Sequence, residues 1–305
     1  MSPDWKLSTP VALLIFNRPE TTRLVFEAIR AARPTRLLVV ADGPRAGRAG
    51  EAERCREARS VIETVDWDCS IETDYSDHNL GCKRRVSSGL DWVFRQVEEA
   101  IILEDDCLPD PSFFRYCQEL LERYRHEPRI VQICGANFQF NSRNFGHSYY
   151  FSRYNHVWGW ASWRRAWELN DVTMSGWPEF RDSGLLDGML SGRREVSYWT
   201  DVMNQVYAGE IDTWDCQWTF SCWKKGCLSV IPAVNTISNL GFGPDATHTP
   251  VPNKFAEMKR KAIPFPLLHP STMEADAAAD AYTANNMYRE YPLLQRIFAA
   301  VRGMI

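Results

Sequence analysis

The stretch Ala100 to Phe114, AIILEDDCLPDPSFF, constrains this chain more than any other. It opens with Ala100, Ile101, Ile102 and Leu103, an apolar run suited to a strand covered on both faces. Three acids, Glu104, Asp105 and Asp106, end the run. A Pro-Asp-Pro turn at Pro109 to Pro111 follows, then a helix whose apolar stripe is Phe113, Phe114, Cys117, Leu120, Leu121 and Tyr124. Open α/β sheets bind ligands beyond the carboxyl ends of their parallel strands. Carboxylates placed there can hold Mg²⁺ or Mn²⁺ and, through the ion, a diphosphate. The same three acids also suit an acidic surface loop, so the decision falls to the rest of the chain.

Upstream, strand and helix signals alternate. Pro10 to Glu20 reads as a strand that ends at Asn17-Arg18-Pro19, followed by a helix with Leu24, Val25, Ala28, Ile29 and Ala32 on one face. Leu37 to Ala41 is a second strand, ending at Asp42-Gly43-Pro44, and Glu51 to Val65 a second helix. Cys69 to Thr73 leads through a polar loop, Tyr75 to Gly81, into a helix carrying Val86, Leu90, Val93, Phe94 and Val97. This alternation predicts a parallel sheet with helices on both faces. No Gly-x-Gly-x-x-Gly follows the first strand and no Walker sequence occurs, which disfavours a dehydrogenase or a P-loop enzyme. Asn17, Arg18, Asp42 and the acidic triplet should then share one edge of the sheet. An arginine and an aspartate there can read a nucleobase, since Asp accepts the N3 proton of uracil. Asp42-Gly43-Pro44 is also an ordinary turn, and Arg18-Pro19 a plain helix start.

Composition sets the class. The 305 residues are 45% apolar, enough for a full core, and the net charge of −4 gives no electrostatic case for nucleic acid. The amino terminus carries no apolar signal segment and no run approaches ~18 apolar residues, so the chain reads as cytoplasmic. The nine cysteines are an odd number without Cys-x-x-Cys spacing, which favours reduced, packed thiols over a zinc site or disulfides.

Beyond a further strand at Ile130 to Cys134 the character changes. Nine of the twelve tryptophans lie between Trp158 and Trp223, a density that predicts a broad amphipathic cleft able to stack on sugars or bases. This half contains WGWASW (158–163), DTWDCQW (212–218) and SNLGFGPDATHT (238–249), the last reading as a loop. The pattern of Tyr291 to Ile305 predicts a basic amphipathic helix, to dock on its own domain or to lie on a membrane surface.

The ordered set Glu104-Asp105-Asp106, Asp110 to Phe114 and Trp214-Asp215 resembles nucleotide-sugar glycosyltransferases of the GT-A fold, most nearly the N-acetylglucosaminyltransferase I type and its bacterial relatives. The resemblance covers about residues 10 to 245. It implies a Rossmann-like, mostly parallel sheet flanked by helices, with a fused acceptor-binding half. The transferase domain then spans 1–268, with its nucleotide-binding half about 9–135 and its acceptor half about 136–268, and 269–305 is a helical extension.

By the same resemblance, Arg18 and Asp42 contact the uracil, with Asn17 beside them. Arg85 stands where the family has a uracil-contacting histidine. Glu104 touches the sugar hydroxyls, Asp105 the ribose, and Asp106 ligates Mn²⁺ or Mg²⁺. Asp215 is the catalytic base, with Trp214 shaping the pocket beside it. Asp201 and Asp212 are the nearest competitors for the base. His248, in the Gly-rich loop, is a candidate metal or diphosphate ligand, and Asn239 to Gly243 can order over the donor. The expected function is an inverting transfer of a sugar, such as N-acetylglucosamine, from a UDP-sugar to a hydroxyl on a glycan, a lipid-linked glycan or a peptide. A sugar nucleotidyltransferase and a non-catalytic carbohydrate-binding protein are the alternatives. The first lacks its Gly-rich loop at Asn17 to Glu20, and the intact acids speak against the second.

Overall fold

The computed structural model describes residues 5–242, 255 and 258–288. In chain order the first half runs β1 (Val11–Ile15), α1 (Pro19–Ala32), β2 (Arg36–Ala41), α2 (Glu51–Ser60, extended by a 3-10 turn at Val61–Thr64), β3 (Ser70–Tyr75), α3 (Cys82–Gln96) and β4 (Glu99–Glu104). It continues with β5 (Cys107–Pro109), α4 (Pro111–Tyr124) and β6 (Ile130–Cys134). The second half holds β7 (Tyr149–Ser152), β8 (Trp160–Trp163), the short helices α5 (Arg164–Trp167), α6 (Trp177–Asp182) and α7 (Leu185–Met189), then α8 (Arg193–Tyr207) and α9 (Asp215–Lys224). β9 (Leu228–Pro232), β10 (Ile237–Asn239) and α10 (Ala277–Met287) complete it.

Eight strands form one sheet in the order β3-β2-β1-β4-β8-β6-β9-β7. Only β8 and β7 run against the rest. The fold is therefore mixed α/β with a large, mostly parallel sheet flanked by helices, as the alternation of strand and helix signals predicts. β1, β4 and β6 are apolar runs buried almost throughout, because helices cover both faces. β8 from the second half inserts between β4 and β6 of the first, so the two halves share a sheet. α10 packs across β7, where Ser152 Oγ donates to the buried Asp280 carboxylate at 2.5 Å.

Local chemistry explains the helix that follows the triplet. Asp110 caps α4 by accepting the Ser112 N–H at 2.9 Å, and Pro111 fills the first helical position, where no N–H is needed. Every residue of the expected α4 stripe is buried.

Three expectations need correction. The buried face of α1 is Thr22, Val25, Phe26 and Ile29, while Leu24 is 51% exposed; Phe26, set against Trp67, fills the place given to Leu24. The turn expected at Pro109 to Pro111 begins inside a strand, Cys107–Pro109, and the loop expected over 238–249 begins with a strand, Ile237–Asn239. The two segments pair antiparallel, a two-stranded ribbon that tolerates Pro109. Finally, the tryptophans do not line a cleft. Of the nine between Trp158 and Trp223, eight are buried, and Trp160, Trp167, Trp214 and Trp218 pack together at centroid distances of 5.3 to 6.3 Å. Several N–H groups find protein partners, Trp218 on Gln132 at 2.7 Å and Trp167 on Asp91 at 2.8 Å. Large rings with one polar atom each thus build the core under the second half of the sheet.

Candidate active site

Glu104 ends β4 beside Leu14 of β1, which places the triplet at the carboxyl edge of the parallel strands. Asp105 is 2% exposed; one of its oxygens accepts the Phe16 N–H at 3.0 Å and the other lies 2.8 Å from the Arg18 guanidinium. Asp106 takes the second arm of the same guanidinium at 2.7 Å. Arg18 thus sits between two acids rather than out in an open base pocket. Although burial opposes its charge, Asp105 and Asp106 hold the guanidinium protonated beyond its ordinary range. The β5–β10 ribbon closes over this group. The Leu240 N–H donates to the Asp106 carbonyl at 2.7 Å, and a Cβ on Gly241 would come within 2.2 Å of an Asp106 carboxylate oxygen.

Glu104 is pushed up to about 8, first by burial and then by the charges of Asp106 and Asp105, with Asp215 adding to the repulsion. Asp105 is pushed up to about 6 by burial, against the pull of Arg18. Three neighbouring carboxyls therefore act on one another beside the Arg18 guanidinium, and Asp215, from a distant part of the chain, acts on Glu104.

Asp215 stands at the first position of α9. Its carboxylate accepts from the Thr213 hydroxyl, and from the Cys216 N–H at 3.0 Å. Trp214 is 4% exposed and stacks on Trp160 at 5.7 Å and 22°, so the ring serves as an anchor in the core for the segment that carries Asp215.

The remaining residues assigned to the nucleotide are engaged inside the protein. Asp42 is buried at the end of β2 and accepts from the N–H groups of Gly43 and Leu80, at 2.9 and 3.0 Å, and from the Asn79 amide at 2.8 Å. Burial raises its pKa and these hydrogen bonds oppose the rise. Arg85 is 7% exposed and donates to the Asp74 carboxylate at 2.9 Å, the Asp74 carbonyl and the Ala41 carbonyl, a staple between β2 and β3. Asp42 holds the loop after β3 in place, and Arg85 ties the ends of β2 and β3 together. Asn17 donates to Glu51 at 3.0 Å, and Glu51 in turn gathers Arg45. His248 and Gly243, and the helix expected over 291–305, lie outside the described residues.

Sequence reasoning missed what Asp212 does. Its two oxygens accept the N–H groups of Cys82 and Lys83, at 2.9 and 3.1 Å, capping α3 from 130 residues away. A signal existed: α3 starts at Gly81, which has no side chain to satisfy the first-turn N–H groups, so a cap had to come from elsewhere. Asp201 lies exposed on α8.

Among the described residues, no three carboxylate, imidazole or thiol groups converge tightly enough to hold an ion alone. The donor set still fits a divalent cation of the phosphate-assisted kind, in which one or two carboxylates share the ion with substrate phosphates and water. Asp106 is the ligand such a site would use, and the surplus of acids over cations favours positive charge. No helix among the described residues is long and apolar enough to cross a membrane.

No protein-family model matches the chain, and no curated protein does. Solved structures with a similar arrangement include a mannosyltransferase from Pyrobaculum calidifontis in complex with GDP-Man and Mn²⁺, at 12% identity and a TM-score of 0.38 over 73% of this chain and 70% of that one. Mouse xyloside xylosyltransferase 1, in its apo form, gives 13% identity and a TM-score of 0.32 over 70% and 81%. A CMP:2-keto-3-deoxy-manno-octonic acid synthetase complexed with CTP gives 16% and 0.32 over 60% and 87%.

Proposed function

We propose that this protein is an inverting, divalent-metal-dependent glycosyltransferase that moves a sugar, with N-acetylglucosamine the first to test, from a UDP-sugar to a hydroxyl acceptor. One observation supports the reading above the others. Asp105 and Asp106 at the end of β4 share the two arms of the Arg18 guanidinium, with Glu104 beside them, and Asp215 at a helix start in the other half is near enough to add to the repulsion on Glu104. Acids gathered at one strand end repel one another, and a cation placed among them relieves that repulsion.

The roles follow from placement. Asp106 would hold Mn²⁺ or Mg²⁺, whose chemistry when bound is to offset the charge that builds on the departing diphosphate. Glu104 faces the donor sugar from the end of β4. Asp105 and Arg18 form the buried ion pair that fixes the strand end. Asp215 takes the proton of the acceptor hydroxyl as the new bond forms. A base acting on the side opposite the leaving group inverts the anomeric carbon.

Isothermal titration with UDP, with and without Mn²⁺, on the wild type and Asp106→Ala, tests this reading. The expected result is binding that needs both the ion and Asp106. Equal binding without Mn²⁺ would remove the metal from the mechanism, and absence of any nucleotide binding would sink the transferase reading.

A further inference from the structure

We infer that Asp212 is a positioning residue that sets the Asp215 carboxylate against the donor half, by clamping the segment Asn79–Lys83 from the side opposite Asp42. The inference rests on the reading of Asp215 as the base and concerns how that base is held.

The segment Asn79–Lys83 joins the end of β3 to α3 and is gripped by two acids. Asp42 accepts the Asn79 amide and the Leu80 N–H, at 2.8 and 3.0 Å, and ties the segment to the carboxyl edge of the sheet. Asp212 accepts the next two free N–H groups, those of Cys82 and Lys83, at 2.9 and 3.1 Å. Gly81, between them, has φ +81, a conformation that favours glycine, and a Cβ there would lie 2.8 Å from an Asp212 oxygen. The contact therefore depends on a residue without a side chain at its centre.

Asp212 belongs to the run that carries the base. Next to it, the Thr213 hydroxyl donates to the Asp215 carboxylate, and the Trp214 ring stacks on Trp160 in the core. The run thus has two external anchors, one on the core through Trp214 and one on α3 through Asp212. The first fixes depth and the second fixes the span to the nucleotide half. A carboxylate suits the second because the N-terminus of a fifteen-residue helix presents unpaired N–H groups and partial positive charge. Each oxygen takes one N–H, which defines direction as well as distance. Reactions that depend on a positioned base lose on the order of a hundredfold from a displacement of about 1 Å.

The test compares full-length wild type, Asp212→Ala, Asp212→Asn and Asp215→Asn. Three readouts are taken: UDP binding with Mn²⁺, turnover across a panel of UDP-sugars, and amide exchange at Cys82 and Lys83. Asp212→Ala should bind UDP within about threefold of wild type while kcat falls at least about tenfold, with KM for the donor little changed. Exchange at the two amides should rise about fivefold, as loss of a helix cap requires. Asp212→Asn, which keeps one of the two accepting oxygens, should recover part of both. Faster exchange with kcat within twofold of wild type would leave Asp212 a plain cap and overturn the inference. Unchanged exchange in Asp212→Ala would overturn it too, as would equal loss of UDP binding and turnover in both Asp212 variants. If Asp215→Asn turns over as well as wild type, or wild type turns over no UDP-sugar, the reading of the base falls and takes the inference with it.

Discussion

At the scale of single residues, two side chains separate chemistry from support. Asp215 holds one hydroxyl and one N–H, and its neighbour Trp214 is anchored on Trp160, so a change confined to its carboxylate should leave the fold alone. Asp215→Asn is expected to lower kcat by about 10²- to 10⁴-fold with UDP affinity retained, measured by steady-state turnover and titration on the same preparation. Arg18 behaves otherwise. Its guanidinium meets Asp105 and Asp106 at 2.8 and 2.7 Å, with Asp105 almost wholly buried. Arg18→Met leaves both acids without that partner, which for a buried pair costs about 3 kcal/mol at the lower end of the range, the end suited to an arginine still in part reached by water. Chemical denaturation should show that loss, and Mn²⁺ should restore part of it, because the ion then offsets charge that Arg18 no longer does. A variant as stable as wild type would mean that the pair contributes little.

At the scale of elements, the ribbon of β5 and β10 connects the triplet to the rest of the site. Gly241 follows β10 and leaves no room for a Cβ beside Asp106, whose oxygen would lie at 2.2 Å, with Arg18 Nη1 at 3.0 Å. Gly241→Ala should therefore push the Asp106 carboxylate aside rather than unfold the ribbon. The expected outcome is a tenfold or greater loss of metal-dependent UDP affinity, roughly 1.4 kcal/mol, with a smaller change in thermal stability. Titration and a melting curve on one sample check it. The ribbon also marks where sequence reading stops. β1, β2, β4, β6 and α4 announce themselves through apolar runs and periodicity, and the triplet at the end of β4 follows from them. The ribbon does not, because its strands are three residues each and lie 130 residues apart. The same limit explains Asp42 and Arg85. Pattern places both near the sheet edge, yet spacing along the chain does not name the partners they take there, Asn79 and Leu80 for Asp42 and Asp74 for Arg85. Asp212 shows the converse, since a helix that begins at Gly81 asks for a cap without saying who supplies it.

For the whole molecule, the cost of collecting acids should be visible in how stability varies with pH. Glu104 is pushed up to about 8 by burial and by Asp106 and Asp105, and Asp105 and Asp280 are each pushed up to about 6, both chiefly by burial. Each carboxyl therefore holds its proton more firmly in the folded chain than in the unfolded one. Between the unfolded and folded values the native state binds more protons, so the free energy of unfolding falls as pH rises. For Glu104 the fall runs from about pH 4.5 to about 8, at no more than about 1.4 kcal/mol per pH unit for one proton. Comparing wild type with Glu104→Gln isolates this residue, because every other group titrates in both. Denaturation curves at intervals from pH 5 to 8 should show the difference in stability shifting toward the variant as pH rises, since the amide never has to ionise among the other acids. Mn²⁺ with UDP should flatten the wild-type curve in the same window, because a cation beside Asp106 favours the ionised form of Glu104. A constant difference between the two proteins across that range would mean that Glu104 ionises as readily in the folded chain as in the unfolded one. The neighbouring acids would then exert no net repulsion on Glu104, and the need for a cation at this edge of the sheet would lose its physical basis.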